Sequence, residues 1–181
     1  MLNIKNVNLK SFREKKYYKV INSCFGLPHF HHYSKGENIY KYKDDESIYD
    51  EDGIYFTDIT NIFNYINYGP IIIELTIPED AIVIYSPEQM SITDKNIDGW
   101  CADKIYINRF MTLTNPKDVI ELIELGADIS ADNNAIFTWA LQNNPLVYYE
   151  LIKKYGYKTL LRYAYDYNGI DLKDEDISII C

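Results

Sequence analysis

Through the last third of the chain apolar residues recur at three- and four-residue steps, the spacing of one helix face. The pattern predicts helices over 116–125, 135–143, 146–155 and 158–167. Val119, Ile120, Leu122, Ile123 and Leu125 share a face of the first, and Asp118 and Glu121 lie early in it, where the helix dipole favours acids. Gly126 follows the last apolar residue, where a left-handed cap needs a residue without Cβ, and Gly156 closes a later helix in the same way. Asn144-Pro145 makes a short turn between two helices.

Upstream the apolar runs are shorter and bounded by Gly and Pro, which predicts strands over 17–21, 53–57, 71–77, 81–85 and 104–108. Ile71-Ile72-Ile73 gives way to alternating Glu74-Leu75-Thr76-Ile77 before Pro78 stops the pairing, as in a buried strand. Residues 60–68 read as a helix ended by Gly69-Pro70. The expected fold class is α+β, a small mixed-sheet domain with one sheet followed by helical hairpins. Residues 1–16 are read as a basic arm, 17–112 as the mixed α/β domain and 113–181 as the helical region, with the division near 112–116. Gly126 and Gly156 lie thirty residues apart, the length of one helical repeat between two partial ones. About three stacked repeats are normally needed to bury their faces. The helices must therefore pack on the first domain or on a second copy of the chain, so a homodimer is one of two solutions.

With 181 residues, 47% apolar and 25% charged, the chain has the composition of a soluble globular protein rather than a disordered one. A net charge of -9 argues against nucleic acid as a partner, because phosphate contacts need clustered cations. The charge is uneven. Lys5, Lys10, Arg13, Lys15, Lys16 and Lys19 stand against Glu14 at the N-terminus, while Asp44, Asp45, Glu46, Asp50, Glu51 and Asp52 crowd one later segment. Solvated surface accounts for both, the alternative being a basic arm that grips an acidic partner. Cys24, Cys101 and Cys181 follow no disulfide or metal-ligand spacing, which fits a reducing compartment. The N-terminus lacks the apolar core of a signal peptide and no apolar run is long enough to span a bilayer, so neither secretion nor membrane insertion is expected.

Candidate chemistry is sparse. His29, His31 and His32 are close together, but no Cys or carboxylate accompanies them at ligand spacing, so no metal is expected. Glu74, Glu79 and Asp80 are explained as surface around a strand end and polar turn. Trp139, near Ile136 and Phe137, is expected between helices, and Tyr148, Tyr149, Tyr155, Tyr163, Tyr165 and Tyr167 are too many for one core, so some should form an exposed patch. No phosphate-binding glycine loop, Ser-His-Asp set or activated cysteine is present in the sequence, and no cofactor is expected.

Residues 119–133, from Val119 through Gly126-Ala127-Asp128 to Asp132-Asn133, resemble the second helix and following loop of an ankyrin repeat. Further pieces extend the resemblance to the ankyrin-repeat proteins of mimivirus-like giant DNA viruses. These are Tyr18-Lys19-Val20-Ile21-Asn22, His31-His32 with Gly36-Glu37-Asn38-Ile39, Gly53-Ile54-Tyr55-Phe56-Thr57, Asn61-Ile62-Phe63, Tyr68-Gly69, Glu74-Leu75-Thr76-Ile77-Pro78-Glu79-Asp80-Ala81 and Trp100-Cys101-Ala102-Asp103-Lys104-Ile105. In that family arginine is usual where this chain has Cys101, and such a block precedes a long repeat array. The resemblance implies a non-catalytic protein-interaction module, an adaptor or effector in the host cell cytoplasm, with a host or viral protein as partner. Asp128, Asp132 and Asn133 of the loop and Tyr148 and Tyr149 of the following helix would carry the contact.

Gly53-Ile54-Tyr55-Phe56-Thr57-Asp58, a helix with Tyr65 and Tyr68, and the strand from Ile71 also resemble the core of His-Tyr-Glu type ADP-ribosyltransferases. That resemblance implies an alternative, an active or degenerate NAD-binding domain. Tyr55 with Tyr65 or Tyr68 would stack nicotinamide, and His29, His31 or His32 would hold the ribose. Asp103 or Lys104 would stand near the place of the catalytic glutamate, where a shorter acid or a cation implies a shared fold without transfer.

Overall fold

The computed structural model describes residues 9–22, 33–40, 53–85 and 99–156. Its strands are Tyr17–Ile21 (β1), Gly36–Ile39 (β2), Ile54–Phe56 (β3), Ile71–Thr76 (β4), Val83–Tyr85 (β5), Trp100–Ala102 (β6) and Lys104–Thr112 (β7). They make two antiparallel sheets, one of order β1-β4-β7-β2 and one of order β3-β6-β5, so the expected single sheet is corrected to two. Asp103 is where the chain changes sheet. Its N–H donates to the Ile82 carbonyl, its carbonyl accepts from the Tyr40 N–H, and its Oδ1 accepts from the Ile82 N–H at 2.9 Å.

The helices are Leu9–Arg13 (α1), a 3-10 helix over Ile59–Tyr68, Pro116–Glu124 (α2), Ala131–Asn143 (α3) and Pro145–Tyr155 (α4). Asp58 caps the 3-10 helix by accepting from the Asn61 N–H. Two longer helices start alike, with Asn at the cap and Pro in the first turn. Asn115 accepts from the Lys117 N–H before Pro116, and Asn144 accepts from the Leu146 and Val147 N–H groups before Pro145. Within α3, Asp132, Asn133 and Asn134 have φ of 44°, 55° and 59°, so the right-handed turn begins where the sequence predicts it, at Ala135. The predicted helix over 158–167 lies outside the described residues.

Two apolar clusters hold these layers together. One joins Phe12, Tyr17, Ile54, Phe56, Ile73, Leu75, Ile105 and Ile107 between the sheets, with Trp100 against its edge. Phe12 packs on Tyr17 with ring centroids 4.7 Å apart and tilted by 39°, and edges Trp100 at 5.5 Å, so the described end of the basic segment is pinned to the core. The other cluster crosses the 112–116 division: Tyr18, Val20, Phe63, Ile66, Ile72 and Met111 pack with Val119, Leu122, Phe137, Ala140, Val147 and Leu151. The apolar face of the helices is thus covered by the first part of the same chain. Trp139 is partly buried against this cluster, whereas Leu125, expected on the buried face of α2, is 44% exposed at its C-cap.

Glu74, expected at the surface, is 2% exposed in the middle of β4. Lys16 lies 3.1 Å from its Oε1 and Arg109 2.9 Å from its Oε2, and Arg109 also reaches Glu121 of α2 at 2.7 Å. A carboxylate is tolerated there because both oxygens meet cations, and the same guanidinium ties the sheet to the first long helix. Glu79 and Asp80 are exposed as expected.

Candidate functional site

β1 and β3 meet through one bridge, Tyr18 opposite Thr57, each N–H donating to the other's carbonyl at 2.8 Å. Beside that bridge lies a cleft of about 170 Å³ lined by Tyr18, Lys19, Val20, Tyr55, Thr57, Tyr65 and Tyr68. β1 supplies the first three, β3 and its continuation the next two, and the 3-10 helix the last two. Tyr65 is buried in the wall and Tyr68 is 46% exposed, their ring centroids 6.3 Å apart at 34°. Lys19 Nζ donates to the Tyr55 carbonyl at 3.0 Å and stands 5.8 Å from the Tyr33 ring. Burial lowers the Lys19 ammonium to about 8, against a smaller opposing pull from the Cys101 thiol. Burial by the same walls, and then the Glu74 carboxylate, push the Tyr18 phenol up to about 12.

Tyr55, Tyr65 and Tyr68 all line this cleft. It does not bring Asp103 to them: this side chain is occupied by the Ile82 N–H at the sheet crossing and does not line the cleft. Lys104, the other residue near that place, pairs with Asp80 at 2.6 Å. His29, His31 and His32 lie outside the described residues. In the sequence Lys19 stands among the N-terminal cations; its alternation with the apolar Tyr18 and Val20 separates it from them and puts its side chain on the opposite face of β1 from theirs.

A second candidate surface lies on the helices. Asp128 is exposed, its Oδ1 accepting from the Ser130 N–H at 2.9 Å and the Ser130 hydroxyl at 2.7 Å, so its carboxylate folds over its own loop. Asn133 is exposed and Asp132 partly so, both in left-handed backbone. Tyr149 is 61% exposed, whereas Tyr148 is partly buried and its phenol is raised by that burial. The tip also carries two residues outside the sequence expectation, Leu141 at 59% and Leu146 at 70% exposure. The signal was present: Val147 and Leu151 fix the buried stripe of α4, which places Leu146 and Tyr149 off it. Asn144 Nδ2 donates to the Thr114 carbonyl at 2.8 Å, which braces the tip against the start of α2, and at the far end of α4 Lys154 pairs with Glu124 at the end of α2.

The chain is similar to two proteins of Acanthamoeba polyphaga mimivirus that carry the name ankyrin repeat protein. One is 30% identical over 104 residues, covering 56% of this chain and 32% of that one. The other is 29% identical over 135 residues, covering 72% of this chain and 21% of that one. The chain thus spans a third or less of the length of these relatives. No family model and no solved structure matches it.

Proposed function

We propose that this chain is a non-catalytic protein-binding module of a giant DNA virus, an adaptor or effector that meets a host or viral protein in the cytoplasm of the infected cell. The observation that carries the reading is the braced α3–α4 tip. Leu141, Leu146 and Tyr149 are exposed apolar surface on helices whose opposite face is already buried, and aromatic and aliphatic anchors of this kind dominate protein interfaces. The similarity to ankyrin repeat proteins supports the same reading. Its test is quantitative recovery of partners by the tagged chain from infected amoebae, beside a Leu146→Lys, Tyr149→Lys variant. Exposed substitutions of this kind usually change stability by less than about 0.5 kcal/mol, so the variant stays folded. A protein enriched by the native chain and lost at least roughly tenfold by the variant is expected, since a hot-spot pair is worth more than about 1.4 kcal/mol. Equal recovery by both, or none above background, overturns the reading.

The tyrosine cleft favours a second reading, stacking of a nicotinamide dinucleotide without transfer. Tyr55, Tyr65 and Tyr68 support it, and the position of Asp103 opposes turnover. Calorimetry with the dinucleotide checks binding and nicotinamide release checks transfer. Release that is lost in Tyr55→Ala would restore the enzyme.

A further inference from the structure

We infer that the protein met by the α3–α4 tip presents an uncharged apolar surface, and that the contact excludes water from Leu141, Leu146 and Tyr149 without an ion pair or a directed hydrogen bond to the tip. This rests on the protein-binding reading above and adds the chemistry of the partner to it.

Charge is the first constraint. From Asn133 to Tyr149 no residue is charged, in a chain where 25% of residues are. Asp132 and Glu150 bound the run, and Glu150 already faces Lys153, the next turn of α4, at 3.9 Å. A partner face rich in lysine or arginine therefore finds no carboxylate within the tip, and one rich in carboxylates finds no cation. Either would lose water from its charges without gaining a counter-charge.

The backbone donors of the tip are spent as well. The first N–H groups of a helix have no partner within it and ordinarily suit an anion or a carboxylate. At the start of α4 they are all accounted for. Pro145 has no N–H, Leu146 and Val147 donate to Asn144 Oδ1 at 3.1 and 3.3 Å, and Tyr148 donates to the Asn144 carbonyl at 3.1 Å. The end of α3 is closed in the same way: the Asn144 N–H donates to the Ala140 carbonyl and Asn143 Nδ2 to that of Trp139, both at 2.8 Å. Burying this tip thus strands few polar groups, and what it offers is the apolar surface of Leu141, Leu146 and Tyr149. A lipid surface is apolar too, but the net charge of -9 opposes approach to an anionic leaflet, which favours a protein.

The test measures how much of the protein enriched from infected amoebae the tagged full chain retains at about 0.05 and about 0.5 M sodium chloride, a range over which salt screens charged contacts. The native chain is compared with Leu146→Lys, Leu146→Glu and Gln142→Ala. Retention by the native chain is expected to change by less than about twofold between the two salts, because there is no ion pair to screen. Leu146→Lys and Leu146→Glu should each lower it about fivefold and agree within about twofold, since a charge of either sign meets an apolar face. Gln142→Ala, which removes the exposed amide beside Leu141, should stay within about twofold of native. A loss of about fivefold in high salt, full retention with one sign of charge at position 146, or loss in Gln142→Ala overturns the inference and leaves the protein-binding reading standing. Recovery of nothing above background by the native chain overturns both. Sedimentation of the native chain with phosphatidylcholine vesicles, or a mass that doubles on concentration, overturns the inference if Leu146→Lys abolishes it, because lipid or a second copy then covers the tip.

Discussion

Asp132, Asn133 and Asn134 hold three successive left-handed conformations, each costing an ordinary L-residue about 1–2 kcal/mol. Asn and Asp bear this because a short polar side chain bonds locally, and no β-branched residue could. Asn133→Gly is therefore expected to leave the urea midpoint nearly unchanged, and Asn133→Val to lose about 1–2 kcal/mol; equal midpoints for the two would remove the strain from the account. The Asp-Asn-Asn run signals such a turn, and the apolar helical pattern begins after it. Other residues are harder to read. A carboxylate in a strand is normally solvated, which points Glu74 to the surface; the cations that pair with it, Lys16 and Arg109, come from places fifty-eight residues before and thirty-five after it, and pairing at that range leaves no local pattern.

At the scale of elements, Arg109 joins β7 to β4 and to α2, and its two carboxylates stand differently. Glu74 is buried and Glu121 partly exposed. The hydrogen bond from Arg109 depresses the Glu121 carboxyl below its ordinary value of 4.5. A folded value below the unfolded one gives stability that is complete above the ordinary glutamate range and lost as pH falls through the folded value. Denaturant midpoints should accordingly fall on acidification, and Glu121→Gln should flatten that limb at a cost under about 1 kcal/mol, because the pair is solvated. Arg109→Met should cost more, about 3 kcal/mol, since it leaves the buried Glu74 with Lys16 alone. An unaltered acid limb in Glu121→Gln would contradict the assignment.

Strong periodicity made several elements legible: β1 matches its expected span, and α2 and α4 agree with theirs to a residue. β2 leaves no clear pattern because Gly36-Glu37-Asn38-Ile39 is an edge strand with little buried surface, and β6 leaves none because it spans only Trp100–Ala102. β7 continues past its expected end at Asn108 because Arg109, which breaks the apolar run, is what the sheet uses to hold Glu74. The paired Asn-Pro starts of α2 and α4, twenty-nine residues apart, mark the repeat as clearly as Gly126 and Gly156 do.

Across the whole molecule the helices and the four-stranded sheet share one cluster, so they should unfold together. Leu122→Ala, at a fully buried position, is expected to cost about 2–5 kcal/mol and to shift helix and tyrosine signals by the same amount. Separate transitions would show two independent units. The same cluster covers the face that an incomplete repeat would otherwise offer to a second copy, and light scattering should give a concentration-independent monomer mass; a mass that rises toward the dimer would mean that another face pairs. That the strands form two sheets and not one is invisible in the sequence, because the crossing depends on Asp103, whose backbone and side-chain bonds to Ile82 and Tyr40 leave no mark in hydropathy.

The central claim is that the outward tip of the helices, and not the sheets, meets a protein partner. Amide hydrogen exchange of the full chain, alone and saturated with the protein it recovers, tests this most directly. New protection is expected over 141–149 at the α3–α4 turn, with β1, β4 and β7 unchanged. Protection confined to the sheets, with 141–149 exchanging as in the free chain, would contradict it.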